Sequence, residues 1–178
     1  MALVALSACC KQEQTFDYTV DKFYDLEILR YQVPEFDSLS LQQKTLVYHL
    51  TEAALHGRDI LYDQNGRYNL RIRRALEALY TQYKGDKTSE EFLNFEKYLK
   101  RVWFANGIHH HYASDKFIPE FTQDWFVKAC AEAGVTYDEA ILPVIFDPTV
   151  MPKSLSLEGE DLLLASANNY YEGVNQEE

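Results

Sequence analysis

A mainly helical fold with few or no strands follows from three features of this sequence. Apolar residues recur at helical spacing over long stretches, Ser and Thr stand where helices would begin, and no sustained alternation of apolar and polar residues appears. The 178 residues are 47% hydrophobic and 25% charged, the composition of a globular protein with a packed core and not of a disordered or membrane-spanning one.

The first ten residues, MALVALSACC, are apolar and small, and the chain turns polar at Lys11. Leu6-Ser7-Ala8-Cys9 matches the pattern cleaved before a lipid-bearing cysteine in bacterial lipoproteins, although no basic residues precede it. Residues 1–20 are therefore expected to be a lipoprotein-type signal and tether, with acyl chains on Cys9 holding the protein at a membrane facing the periplasm. Without that anchor the chain is expected to be soluble. Cys10 adjoins Cys9 and Cys130 stands alone, so no disulfide framework is expected, and Cys130 reads as a small buried hydrophobe.

Residues 21–30 place apolar side chains at 23, 26, 28 and 29, compatible with a short helix or an extended segment that Pro34 stops. Ser40 and Gln43 have the spacing of a capping box. They predict a helix to about Tyr62, with Leu46, Leu50, Ala53, Ala54 and Leu61 as its buried stripe. Asn65-Gly66 signals a turn.

A second helix, through residues 70–80, puts Ile72, Leu76, Leu79, Tyr80 and Tyr83 on one face, and Gly85 ends it. Thr88 or Ser89 then opens a third helix carrying Phe92, Phe95, Leu99, Val102 and Trp103 inward. Gly107 breaks it, and 108–119 is expected to be irregular. Thr122 caps a fourth helix, 123–133, ending at Gly134. A loop around Pro143, Pro148 and Pro152 and a last polar helix from about Leu162 follow, and 173–178 reads as the opening turn of a further helix.

The formal charge of −11 repels phosphate backbones and anionic lipid, so nucleic acid is not an expected partner and contact with a membrane is expected only through a lipid anchor. Among the five histidines, His49 and His56 share a helix side with Glu52, but a seven-residue separation is too long for one ion without strain. His109, His110 and His111 are consecutive, and neighbouring residues point in different directions. A hydrogen-bonded loop cluster is the expected role. Arg71, Arg73 and Arg74 have the chemistry to clamp a carboxylate, but are expected to form an exposed face paired with nearby acids.

Several segments, taken together and in order, resemble a known family: 25–34 (DLEILRYQVP), 57–66 (GRDILYDQNG), 68–74 (YNLRIRR), 98–112 (YLKRVWFANGIHHHY) and 166–174 (SANNYYEGV). The family is bacterial dipeptidyl peptidase III, and the likeness runs from about residue 16 to the end. It implies that 21–178 is the helical amino-terminal portion of the upper lobe of a two-lobed metallopeptidase, incomplete at its carboxyl end. It also implies short peptides as substrate, shortened by a dipeptide from the amino end, and zinc as cofactor of the full-length enzyme.

In that family the metal is held by an H-E-x-x-G-H helix and a later glutamate. No such helix occurs here, so no catalytic and no metal-binding residue is expected in this chain, which by itself should bind no zinc and hydrolyse nothing. The resemblance places the segment after the third helix at the substrate cleft, with Asn106, His110, His111 and Tyr112 as lining groups and Tyr112 beside the pocket for the substrate's second residue. The competing expectation is a non-catalytic, lipid-anchored helical module that holds a peptide or partner.

Overall fold

The structure, a computed structural model, describes residues 16–154, 158, 159 and 161–178. Cys9 and the rest of the expected signal lie outside the described residues. The chain divides into two compact units, up to Ser38 and from Leu39 onward.

In the first unit an antiparallel hairpin pairs β1 (Thr19–Phe23) with β2 (Leu26–Leu29). Tyr24, at φ +52°, and Asp25 close it as a two-residue turn. Of the two readings of 21–30, the extended one forms, and these two strands are the few that the mainly helical fold carries among the described residues. Side chains on the two strands explain the pairing: Lys22 meets Glu27 at 3.1 Å, and Thr19 donates to the same carboxylate at 2.6 Å. A 3-10 turn, Pro34–Ser38, completes this unit.

The second unit is helical: α1 (Leu41–His56), α2 (Arg58–Asn65), α3 (Asn69–Gln82), α4 (Glu90–Ala105), α5 (Gln123–Ala133), α6 (Ile141–Phe146) and α7 (Leu162–Ala165). Side-chain caps start three of the longer ones. Ser40 and Gln43 form the reciprocal capping box on α1, Ser89 accepts from Phe92 N on α4, and Thr122 accepts from Trp125 N on α5. Gly134, at φ +71°, closes α5 in the left-handed conformation that glycine adopts cheaply.

The core is built from α3, α4, α5 and α6. Ile72, Leu76 and Leu79 from α3 face Phe92, Phe95, Tyr98, Leu99 and Val102 from α4, all essentially inaccessible to solvent. Phe126 and Cys130 of α5 and Ile141 and Ile145 of α6 complete it. Burial pushes the Cys130 thiol up to about 12, so it stays protonated and behaves as a hydrophobe. Aromatic edges bind the layers: Phe95 meets Phe121 edge-on at 5.6 Å, and Phe121 meets Phe146 edge-on at 5.6 Å.

Four sequence expectations change. The helix from Ser40 does not run through to Tyr62, because it stops at His56 and restarts as α2 after Gly57. Its expected stripe is not inside: α1 buries no residue, Leu46 and Leu50 are 59% and 60% exposed, and on α2 Tyr62 is buried where Leu61 is not. Periodicity identifies an apolar side but does not supply a surface to cover it. Trp103 is half-buried because its indole N–H donates to Glu77 at 2.8 Å near the surface. Finally, the region of Pro143 is helical: the ring sits in the first turn of α6, where no amide donor is needed, and the Asp138 carboxylate accepts from Ala140 N just ahead of it.

Among the described residues no helix is long and apolar enough to cross a membrane.

Candidate functional site

The site begins where α4 ends. Asn106 takes the left-handed conformation (φ 53°, ψ 40°), and the Gly107 amide bonds back to Val102 O at 3.1 Å. Asn accepts this backbone geometry more readily than most residues. The chain then turns sharply over the buried side chain of Asn69, whose Oδ1 accepts from Ile108 N at 3.3 Å.

Gly66 and Gly107 both press against the Asn69 carboxamide. A methyl group on Gly66 would come within 2.9 Å of Asn69 Nδ2, and one on Gly107 within 2.9 Å of Asn69 Cγ. Gly107→Ala is therefore expected to destabilise the fold by about 1–3 kcal/mol through overpacking. The check is chemical denaturation, in which the midpoint should fall while the slope is retained.

Residues 108–117 fold back on themselves. Phe117 N donates to Ile108 O and His110 N to Asp115 O, both at 2.8 Å, bringing His109 opposite Lys116. The Lys116 ammonium crosses to the next loop and donates to Asp147 O at 2.5 Å and Val150 O at 2.7 Å. Burial lowers its pKa, partly offset by the Asp147 charge. This clamp carries the 147–153 loop, and Lys153 with it, alongside the histidine run.

The three histidines are held by three different sets of contacts. His109 is 6% exposed, and its Nε2 lies 3.0 Å from Met151 O. A carbonyl only accepts, so Nε2 carries the proton and Nδ1 keeps its lone pair. That buried Nδ1 has no partner among the described residues. Burial holds the His109 pKa at about 4, with the Met151 hydrogen bond opposing and the Lys116 and Lys153 charges reinforcing the shift, so the ring is neutral near pH 7. His110 staples its own turn: Nδ1 accepts from Tyr112 N at 3.2 Å and Ala113 N at 3.1 Å, which leaves Nε2 as the protonated nitrogen. His111 stacks on His110 with ring centroids 4.4 Å apart and meets Phe104 edge-on at 4.9 Å.

A pocket of about 160 Å³ opens between these groups. Asn106, His110 and His111, which the family resemblance assigns to a substrate cleft, are among the residues that line it. Tyr112 is not among them: it is 90% exposed, and its ring packs on His111 at 4.3 Å. Sequence reasoning missed Asn65, His109 and Lys153, which complete the wall. Asn65 was legible only as half of a turn signal, and its Nδ2 in fact donates to Asn106 O at 3.2 Å, tying the end of α2 to the end of α4.

The other charged groups singled out in the sequence are internally matched. Arg73 and Arg74 both reach Asp59, at 2.9 and 3.2 Å, and Arg71 reaches Asp138 at 2.8 Å. They form the paired face and not a free clamp. His56 Nδ1 sits 2.8 Å from the Glu52 carbonyl of its own helix, and both residues belong to the exposed α1. Among the described residues, no three His, Cys, Asp or Glu side chains converge where a metal ion would sit.

Compared with known proteins, the chain matches no family model, and no curated protein is similar to it.

Proposed function

We propose that this chain is part of the upper, helical lobe of a zinc-dependent dipeptidyl peptidase of the dipeptidyl peptidase III type, and that it contributes peptide-binding surface while other residues of the enzyme hold the metal. The observation carrying this reading is the pocket in which the N-G-I-H-H-H turn gathers Asn106, His110 and His111 beside Lys153. That turn lies in the longest of the segments on which the family resemblance rests.

The donor set argues for binding without hydrolysis in this chain. A catalytic zinc takes three protein ligands converging on one point with a coordination position left for water. Here His109 and His110 each have one ring nitrogen in a hydrogen bond, His109 Nε2 to Met151 O and His110 Nδ1 to two loop amides, while the His111 ring packs on Phe104. Among the described residues no three such side chains converge on one point, and no step of peptide hydrolysis is assigned to them. On this reading the enzyme is attached to the membrane through lipid on Cys9.

The test is release of chromophore from a dipeptidyl-arylamide by the polypeptide encoded when the reading frame is followed past Glu178, with the 178-residue chain in parallel. The longer product is expected to act, to lose activity on chelation and to regain it with zinc, while the shorter chain stays inactive. Hydrolysis by the 178-residue chain overturns the reading. A stop codon directly after Glu178, with a stable folded product, favours instead the non-catalytic lipid-anchored module.

A further inference from the structure

The pocket beside the histidine run has an electrostatic character opposite to that of the chain as a whole. The protein carries a formal charge of −11, yet among the described residues no Asp or Glu lines this pocket, and Lys153 brings an ammonium to it. Lys153 is partly buried and makes no hydrogen bond or ion pair among the described residues. At physiological ionic strength the distant acids are screened beyond roughly 8 Å, so the near ammonium decides what enters.

The remaining polar atoms define the ligand further. His110 has Nδ1 committed to Tyr112 and Ala113 amides, so its free ring nitrogen is a donor. His109 presents the reverse: its Nε2–H is committed to Met151 O, and Nδ1 is an acceptor with no partner in a ring that is 94% buried (6% exposed). Leaving a buried acceptor unpaired is costly, on the order of 1–3 kcal/mol, and a ligand that brings a donor relieves it. Lys153 and His110, two donors, line the pocket of about 160 Å³ together with His109, whose unmet acceptor Nδ1 lies just beneath the accessible surface; this set suits a carboxylate with an N–H close beside it, at the size of one small residue.

We propose that this pocket binds the carboxyl-terminal residue of a short peptide, with the carboxylate on Lys153 Nζ and His110 Nε2–H and the residue's amide N–H offered to His109 Nδ1. The proposal deepens the peptide-binding reading above and rests on it for the choice of a peptide as ligand. An acidic metabolite would bring the same carboxylate without the amide, which the experiment separates.

The experiment is an NMR titration of the 178-residue chain, following the imidazole resonances, with tri-alanine, tri-alanine amide and propionate at fixed pH and salt. Tri-alanine is expected to shift the ring signals saturably, the amide to bind about tenfold more weakly or worse, and propionate to bind more weakly than the peptide. Lys153→Gln is expected to weaken tri-alanine by about tenfold or more. Since Lys153 has no partner among the described residues, its replacement should leave the melting temperature unchanged.

Equal affinity for acid and amide, equal affinity in K153Q, or no saturable shift with tri-alanine overturns the proposal. Propionate binding as tightly as tri-alanine overturns the peptide assignment and leaves a simple acid as the ligand. The titration needs neither zinc nor the rest of an enzyme. Its failure is thus distinct from failure of the arylamide assay.

Discussion

Phe95→Ala is expected to remove about 3–5 kcal/mol of stability, the largest loss among single truncations considered for this protein. Phe95 is fully buried on α4, and its ring touches those of Phe92, Phe121 and Trp125 at centroid distances of 5.7, 5.6 and 5.6 Å. Truncation loses the transfer free energy of the ring and leaves a cavity that three large aromatic neighbours on separate segments close only in part. A domain of this size is stable by about 5–15 kcal/mol, so the variant should sit near its folding threshold. Thermal denaturation checks this, with Phe95→Leu as a milder companion that should retain the fold. A Phe95→Ala protein melting within a degree or two of the parent would show that α4 does not organise the core.

Acidification from pH 7 to pH 4 is expected to cost of the order of 3 kcal/mol through His109 alone. Its ordinary pKa is 6.5, and burial in the fold brings it to about 4. The unfolded chain therefore takes up the proton first as pH falls. The neutral ring's contribution is fully present above about pH 6.5 and is lost progressively between 6.5 and 4. At about 1.4 kcal/mol per pH unit, the gap between the two values sets the stated magnitude. His109→Gln retains a donor for the Met151 carbonyl and removes the titration. Its stability should fall less steeply than the parent's over that window, and parallel curves would contradict the assignment to His109.

Much of the helical core is written locally. Ser89 and Thr122 announce α4 and α5 because a hydroxyl three residues ahead of an unsatisfied amide is a short-range device, and Gly134 ends α5 for an equally local reason. The hairpin was missed because its strands span five and four residues, too short for alternation to stand out from the charges that pair across it. The error at α1 is of another kind. Leu46, Leu50, Ala53 and Ala54 do recur at helical spacing, but burial depends on a partner surface that local sequence does not specify.

The pocket divides along the same line. Asn106, His110 and His111 were legible because one short segment carries them. Lys153 was not, because it arrives through the Lys116 and His109 clamps on the 147–153 loop, a set of contacts to backbone carbonyls that leaves no residue pattern. His109 is buried for the same reason, while Tyr112, on the same segment, is turned outward by the His110 staple.

The central claim is that the 178 residues supply binding surface and no metal centre, and zinc content tests it most directly. The purified chain and the polypeptide encoded past Glu178 would be loaded with zinc, dialysed exhaustively and measured by atomic emission. The account predicts far less than one zinc per short chain and one per longer polypeptide. A single tightly held zinc on the short chain contradicts it.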